Sequence, residues 1–258
     1  MTKKEYAQKV AQIVNGEVKE VEKANGAILT GVILDNGSNL RPTVYIDSMM
    51  DEELTIDEAA EQVNRIARTH ALESRNMDFI LDYESIKPML RARLYNKATT
   101  ADVYKEAGNG FDDLVIIPYI EGVIENGSCK VTAGMLTGWN KTADEVISDA
   151  MKNSDKEANV KTMHDIMADM GFEVPDDPNM LVVSNTRKAF GAYAVLSKLP
   201  ILKTLFPDGF TVLPSSVHEV IVVPLDDKAA LDSMVQEVND EQVDFTEQLS
   251  NHAYRIAA

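Results

Sequence analysis

The sequence predicts an α+β fold in which a mixed, mainly antiparallel sheet is covered by several helices. Three observations support this fold class. Asn-Gly pairs occur five times between segments of β-type residues, and such pairs are typical of tight hairpin turns. Two threonine–glutamate pairs have the spacing of helix capping boxes and precede stretches with helical periodicity. A β-branched segment in the C-terminal third indicates a buried strand.

The N-terminal third is predicted to form a helix, a three-stranded meander and a second helix. The first helix covers about residues 2–14. Thr55 and Glu58 form a capping box for the second helix, which runs to about residue 73. The three strands cover roughly residues 17–24, 27–34 and 42–47, with Asn-Gly turns between them.

The central segments mix helices with a hairpin. "TTADVYKEAGNG" predicts a short helix that ends at Gly108, and a strand and a hairpin around Asn126-Gly127 follow it. Thr142 and Glu145 form another capping box. "EANVKTMHDIMADM" predicts a further helix that ends at Gly171.

The C-terminal third alternates predicted strands with helices. "MLVVS" at 180–184 predicts a strand, and "AFGAYAVL" at 189–196 predicts a strand or a buried helix. "FTVLPSSVHEVIVVP" at 210–224 is the most β-like stretch of the chain. "DKAALDSMVQEVN" predicts a helix with one apolar face, made of Leu231, Met234, Val235 and Val238. A last helix over "TEQLSNHAYRI" is predicted to dock on the sheet through Leu249, Ala253 and Ile256.

Length and composition predict a globular, cytoplasmic protein. With 258 residues, 45% of them hydrophobic, one compact domain over 1–258 is predicted, and two packed halves of about 1–105 and 106–258 are the alternative. The N-terminal residues lack a signal-peptide core, and no run of about 18 apolar residues predicts a membrane span. The single cysteine, Cys129, cannot form an internal disulfide, which agrees with a reducing compartment.

The charge of the chain predicts which partners it can bind. The formal net charge is −17, from 42 acidic and 25 basic residues. Such a field repels phosphate backbones and anionic membranes, so binding of nucleic acid or membrane is not predicted. A protein partner with a basic surface fits this charge, and the sequence leaves the oligomeric state open.

No cofactor or metal site is predicted. The chain has no Walker A loop, no dinucleotide-binding glycine fingerprint and no G-x-S-x-G elbow. None of the four histidines has a metal-site spacing to another histidine or to Cys129. They are His70, His164, His218 and His252.

The sharpest chemical feature is the polar cluster in "LPSSVHEVIVVP", which consists of Ser215, Ser216, His218 and Glu219. In a regular strand, Ser216 and His218 would share one face at a separation of roughly 6.6 Å, while the other two would point to the opposite face. That separation is too long for direct proton transfer. Catalysis would therefore require a bulge or a turn near Pro214.

Two functions are open from these residues. In the first, the cluster forms the turn into the strand, and the protein is a non-catalytic binding or accessory protein that acts through protein contacts. In the second, the protein is a hydrolase with Ser215 or Ser216 as nucleophile, His218 as base and Glu219 as orienting group or acid. A straight strand with His218 and Glu219 on opposite faces would exclude the second function.

Six short motifs follow one another along nearly the whole chain. They are "RPTVYID" at 41–47, "RLYN" at 93–96, "VSNTRKAFGA" at 183–192, "LPSSVHEVI" at 213–221, "MVQEVN" at 234–239 and "LSNHAY" at 249–254. In this order they resemble an uncharacterised domain-of-unknown-function family that is frequent in gut Firmicutes. The resemblance implies no activity, and it implies that the element around His218 is the most distinctive motif of that family.

Overall fold

The computed structural model describes residues 1–23, 26–34, 43–71, 77–100, 104–123, 127–172, 179–214, 216–226 and 228–257. Within these residues the α+β fold class is confirmed. The strands are divided among three sheets, and every strand pairing in this part of the chain is antiparallel.

The N-terminal sheet follows the predicted order of helix, meander and helix. Its elements are α1 (Lys3–Val14), β1 (Gly16–Glu22), β2 (Ile28–Leu34), β3 (Thr43–Tyr45), α2 (Asp47–Asp51) and α3 (Ile56–Ala71), and the strand order is β1-β2-β3. Thr55 and Glu58 exchange the hydrogen bonds of the predicted capping box. The predicted turn residues Asn25, Asn36 and Gly37 lie outside the described residues, as does Asn126.

The second sheet is built around one long strand. Its strands are β4 (Leu90–Asn96), β5 (Lys105–Gly108), β6 (Phe111–Glu121) and β7 (Ser128–Lys130). β6 pairs with β4 along one edge and with β5 and β7 along the other. Short helical segments precede and follow β4, at Met77–Leu81, Tyr83–Ile86 (α4), Lys87–Met89 and Lys97–Thr99.

The predicted helix that ends at Gly108 is wrong, because residues 105–108 form β5. Asn109 and Gly110 have φ angles of 57° and 90° and connect β5 to β6. Two consecutive residues with positive φ are the requirement of a tight hairpin turn. The Asn-Gly signal at this site therefore outweighed the helical spacing before it.

Two helices and a short strand come next, α5 (Ala133–Trp139), α6 (Ala143–Asp155) and β8 (Ala158–Thr162). The predicted capping box of Thr142 and Glu145 is present at the start of α6. The predicted helix over "EANVKTMHDIMADM" is wrong in its first half, which is β8, and only Met163–Asp169 (α7) is helical. The Thr162 side chain accepts a hydrogen bond from the Asp165 amide and caps α7, so the helix begins in the middle of the pattern.

The third sheet has the strand order β12-β10-β11-β9-β8. Its other strands are β9 (Leu181–Asn185), β10 (Phe210–Leu213), β11 (Val220–Pro224) and β12 (Tyr254–Ile256), and its helices are α8 (Ala194–Leu205) and α9 (Lys228–Gln242). The predicted C-terminal helix is wrong, because β12 pairs with β10 as a strand. Leu249, Ala253 and Ile256 are buried nevertheless, from an extended segment.

The hydrophobic core of the described residues has two main clusters. One includes Val10, Ile46 and Val63 and lies within residues 6–63. The other cluster includes Leu94 and Ile117 and lies within residues 80–256. One compact domain over 1–258 stays a prediction. The alternative of two halves has its boundary at residue 105, and β4 pairs with β6 across that boundary. Among the described residues, no helix has both the length and the apolar character needed to cross a membrane.

Candidate functional site

Segments that are distant in sequence meet in the C-terminal part of the fold. They are strand β4, the loop after β9, the loop between β10 and β11, and the segment that leads into β12. These segments carry the "RLYN", "VSNTRKAFGA", "LPSSVHEVI" and "LSNHAY" motifs. Motifs that are separate along the sequence therefore form one site in space.

The described members of the polar cluster, Ser216, His218 and Glu219, lie in a loop and not in a straight strand. β10 ends at Leu213 and β11 begins at Val220, so the turn that catalysis would require near Pro214 is present. Ser216 forms an isolated bridge with Gln248. The Val217 amide donates a hydrogen bond of 2.9 Å to the Glu247 carbonyl. These contacts anchor the loop on the segment that leads into β12.

His218 uses both ring nitrogens to connect neighbouring segments. Its Nδ1 accepts a hydrogen bond of 3.1 Å from the Phe190 amide. Its Nε2 lies 3.2 Å from Oε1 of Glu247. Because Nδ1 is the acceptor, the ring proton belongs on Nε2, which faces the carboxylate. Neither nitrogen is left to act as the base for a nucleophile.

The structure brings Ser216 beside His218 but does not join their reactive groups. The Ser216 hydroxyl oxygen accepts the backbone amide of His218 at 3.0 Å. No hydrogen bond within the described chain connects that hydroxyl to the imidazole. Glu219 is exposed, and the carboxylate that faces the imidazole is Glu247 instead. Ser215 lies outside the described residues.

The backbone of His218 forms a second anchor, which explains the glycine of the "VSNTRKAFGA" motif. The His218 carbonyl accepts hydrogen bonds from the Ser184 hydroxyl at 2.8 Å and from the Gly191 amide at 2.9 Å. A Cβ at position 191 would lie 2.6 Å from the Asn185 nitrogen and 2.8 Å from the His218 oxygen. Only glycine allows these two loops to approach so closely.

Phe190 joins the His218 loop to a buried arginine. Its φ of 51° is a strained conformation for a large side chain. Its ring centroid lies 5.0 Å from that of His218, and the Arg93 guanidinium lies 3.5 Å from the Phe190 centroid. Arg93 is only 3% exposed and also lies 4.1 Å from the Tyr119 ring. These ring contacts hold Phe190 in its strained conformation.

Arg93 belongs to a largely buried ion-pair network that joins β4 and β6 to the loops of the third sheet. A Glu121 oxygen lies 2.6 Å from a guanidinium nitrogen of Arg93, and the other lies 2.6 Å from one of Arg187. Glu157 pairs with Arg187 at 3.0 Å and with Arg91 at 2.5 Å. Burial acts to raise the pKa of Glu121, but the hydrogen bonds and charges of the two arginines outweigh it and hold the pKa below 4.5. The cavity here is about 10 Å³, which is room for one water molecule. The network therefore connects segments and leaves no space for a ligand.

A second cavity, of about 250 Å³, lies between β4, β6 and the segment that leads into β12. We call it the His252 cavity, and its polar and aromatic lining consists of Asn96, Asp113, Phe245, Gln248, Ser250, Asn251 and His252. Asp113 accepts a hydrogen bond of 2.6 Å from the Tyr254 hydroxyl and lies 3.1 Å from Nε2 of His252. Burial, and next the hydrogen bond to Asp113, raise the pKa of Tyr254.

The sequence does not indicate most of the residues that contact His218 or that complete the His252 cavity. The sequence gives no signal of chemistry for Arg93, Phe190 or Glu247, and for His252 it favours a surface or capping role over metal binding. The available signal was the set of motifs, because three of these residues lie in "RLYN", "VSNTRKAFGA" and "LSNHAY". Among the described residues, no group of three or more His, Cys, Asp or Glu side chains is arranged to hold a metal ion.

Comparison with known proteins identifies the family of the chain. A family model with the description "Family of unknown function (DUF5688)" matches residues 1–256, and the chain therefore belongs to this family. The resemblance to an uncharacterised family is thereby confirmed. The curated proteins and the solved structures gave no match.

Proposed function

We propose that this member of the family is a non-catalytic binding protein that contacts a partner protein with a basic surface. The observation that carries the proposal is that Ser216 and His218 are used to hold the fold. A hydrolase needs a base with an available nitrogen beside its nucleophile. Here both ring nitrogens of His218 and the oxygen of Ser216 contact backbone amides or Glu247. This arrangement supports a structural role for the cluster.

The outer face of α9 supports a partner of this charge. Of its predicted apolar face, Leu231 and Val235 are buried, whereas Met234 is 50% exposed and Val238 is 36% exposed. An exposed glutamate lies three positions after each of these two residues, and residues at this spacing are neighbours on a helix. We call this set the α9 stripe: Met234, Glu237, Val238 and Glu241. An apolar patch flanked by carboxylates complements a surface of apolar residues flanked by lysine and arginine.

The test compares proteins captured from the native lysate by three forms of the full chain. They are the wild type, Glu237→Lys/Glu241→Lys in the α9 stripe, and Glu20→Lys/Glu22→Lys on β1, which makes the same change of charge at exposed residues elsewhere. We expect a partner with a basic surface to bind the wild type and the β1 variant but not the α9 variant. Salt of about 0.5 M should weaken this binding, because it screens charges beyond a few ångströms. A partner that binds all three forms equally would contradict the proposal.

The alternative is a hydrolase that uses Ser215 or Ser216 with His218, and the same protein tests it. A fluorophosphonate probe reacts with serine hydroxyls that a neighbouring base activates. We expect no labelling of these two serines above the level found in His218→Ala. Labelling of either serine that disappears in His218→Ala would overturn the proposal in favour of the hydrolase.

A further inference from the structure

The His252 cavity is large enough for one ring of a small ligand. Its volume is about 250 Å³. At roughly 30 Å³ for each water molecule, this space corresponds to about eight waters. It is smaller than the roughly 300–1,000 Å³ of sites for drug-sized ligands. A single sugar ring or a ligand of similar size therefore fits the cavity.

The lining of the cavity disfavours a charged ligand. No lysine or arginine is among the described residues that line it, so a phosphate or a carboxylate would lack a cationic partner. Asp113 is the carboxylate in the lining, and each of its oxygens already lies against a polar group of the protein. Oδ1 accepts from the Tyr254 hydroxyl, and Oδ2 lies 3.1 Å from the His252 Nε2. A cationic ligand that pairs with Asp113 would therefore have to displace the Tyr254 or the His252 contact.

One carboxamide and the aromatic ring of the lining complement a neutral ligand with several hydroxyl groups. The amide nitrogens of Gln248 and Asn96 already donate within the protein, to the Asn239 and Val243 carbonyls and to Asp113. Asn251 carries the amide group whose N–H groups can donate to sugar hydroxyls. Phe245 is 56% exposed, so its ring offers a flat apolar face to one side of a sugar ring. Leu249, which is buried, adds an apolar wall.

The hydrogen bonds behind the cavity fix its polar groups in position. Asn239 is 2% exposed, and its amide donates to the Ser250 carbonyl at 3.0 Å and to Oδ1 of Asn251 at 2.5 Å. The bond to Oδ1 orients the Asn251 amide and leaves its two N–H groups as donors within the described chain. The Ala253 amide donates to Asp232 at 2.7 Å. A site that is already ordered loses less entropy when a ligand binds.

A buried hydroxyl on the cavity wall is incompletely bonded. Ser250 is 4% exposed and is among the residues that line the cavity. The Ser250 side chain lies near the Tyr254 hydroxyl, and it lowers the pKa of Tyr254, which partly offsets the rise caused by burial. Its own oxygen nevertheless makes no hydrogen bond of normal geometry within the described chain. Buried polar atoms of this kind are usually completed by ordered water or by a ligand.

From these observations we propose that the His252 cavity binds one ring of a neutral carbohydrate. The ring stacks on Phe245 and receives hydrogen bonds from the amide of Asn251. The carbohydrate site is separate from the proposed partner surface, because no residue of the α9 stripe lines the cavity. Failure of one proposal therefore leaves the other testable.

Titration of the full chain with matched pairs of sugars, followed by calorimetry and by NMR, tests the carbohydrate site. D-glucose is paired with glucose 6-phosphate, and N-acetyl-D-glucosamine is paired with the cationic D-glucosamine. We expect at least one neutral sugar to bind saturably with a Kd below about 10 mM. We expect its charged counterpart to bind at least about tenfold more weakly, because the lining does not compensate the added charge.

Phe245→Ala tests where the sugar binds. Loss of the stacking face should weaken binding about three- to tenfold. The matched control is Phe172→Ala, because Phe172 is 57% exposed but does not line the cavity, and its affinity should equal that of the wild type. The proposal is overturned if neither neutral sugar binds, if the charged counterparts bind equally well, or if Phe245→Ala keeps the wild-type affinity.

Discussion

The His218 side chain connects the loop after β9 to the segment that leads into β12, and this role predicts the effect of removing it. His218→Ala removes the acceptor of the Phe190 amide, the donor to Glu247 and the ring beside Phe190. We expect the free energy of unfolding to fall by about 1–3 kcal/mol. For a chain of this length, that change lowers the Tm by several degrees, which circular dichroism measures.

Glu219→Ala is the matched control for His218→Ala, because it changes the adjacent residue of the same loop. Glu219 is exposed, and we expect its replacement to change the free energy of unfolding by less than about 0.5 kcal/mol. Equal losses in the two variants would contradict the structural role of the imidazole. Unchanged stability in His218→Ala would do so as well, and it would favour the hydrolase alternative.

The ion pairs of Glu121 predict that its replacement lowers the stability of the protein and that this effect depends on pH. The Glu121 side chain is 19% exposed and that of Arg93 is 4% exposed, so Glu121→Gln leaves a buried cation without its main counter-charge. We expect a loss of about 3 kcal/mol in urea unfolding at pH 7. The control is Glu106→Gln, whose partner is Lys97 and whose side chain is 58% exposed, and its loss should stay below about 1 kcal/mol.

The sign of the pH dependence follows from the lowered pKa of Glu121. Because that pKa lies below 4.5 in the folded state, the unfolded chain takes up the proton first as the pH falls. The stabilisation is therefore complete above pH 4.5 and is lost as the pH falls through the lower folded-state pKa. The stability difference between wild type and Glu121→Gln should shrink below pH 4.5. A difference that grows in acid would contradict the network.

At the level of elements, the sequence was informative where the signal lies between neighbouring residues. The capping boxes at Thr55 and Thr142 and the Asn109-Gly110 turn depend on residues that are close together, and all three are present. The wrong predictions concern the short strands β5, β8 and β12, whose pairing partners lie elsewhere in the chain. A strand of three to five residues has too few alternations to reveal its period.

The same limit applies to the candidate site. From the sequence, a turn near Pro214 is only a condition for catalysis, because a regular strand keeps Ser216 and His218 apart. In the structure β10 ends at Leu213 and β11 begins at Val220. The partners of His218 could not be predicted, since Phe190 is 28 residues away and no local pattern connects them. The pair of Asp113 and His252 is separated by 139 residues. Only the tertiary fold brings such groups together.

The edge strand β12 predicts what removal of the C-terminus does. Tyr254 and Ile256 are 4% and 5% exposed, and β12 pairs with β10. Deletion of residues 254–258 removes both side chains and exposes the apolar surface that they cover. We expect the free energy of unfolding, measured with urea, to fall by about 4 kcal/mol because of this lost burial. Deletion of residues 257–258 alone is the control, because Ala257 is exposed and should contribute little. Equal stability after both deletions would contradict the role of β12.

For the whole molecule, the division of the core predicts how the chain unfolds. The two main clusters of buried residues lie within 6–63 and 80–256, and Ile46 and Ile117 are fully or almost fully buried, one in each. Substitution of a buried isoleucine by alanine costs about 2–5 kcal/mol in the unit that contains it. Because the two clusters have no residue in common, we expect each substitution to act mainly on hydrogen exchange around its own cluster.

Hydrogen exchange measured by mass spectrometry checks this expectation on the full chain. Ile46→Ala should speed the exchange of amides in residues 1–71 and leave the protected amides of β6 and β9 unchanged. Ile117→Ala is the reciprocal variant and should act on residues 77–257. If either substitution speeds exchange equally in both regions, the chain unfolds as one cooperative unit, which would support the prediction of a single domain over 1–258. Separate responses would instead place the division between the two clusters rather than near residue 105, because β4 and β6 pair across that position.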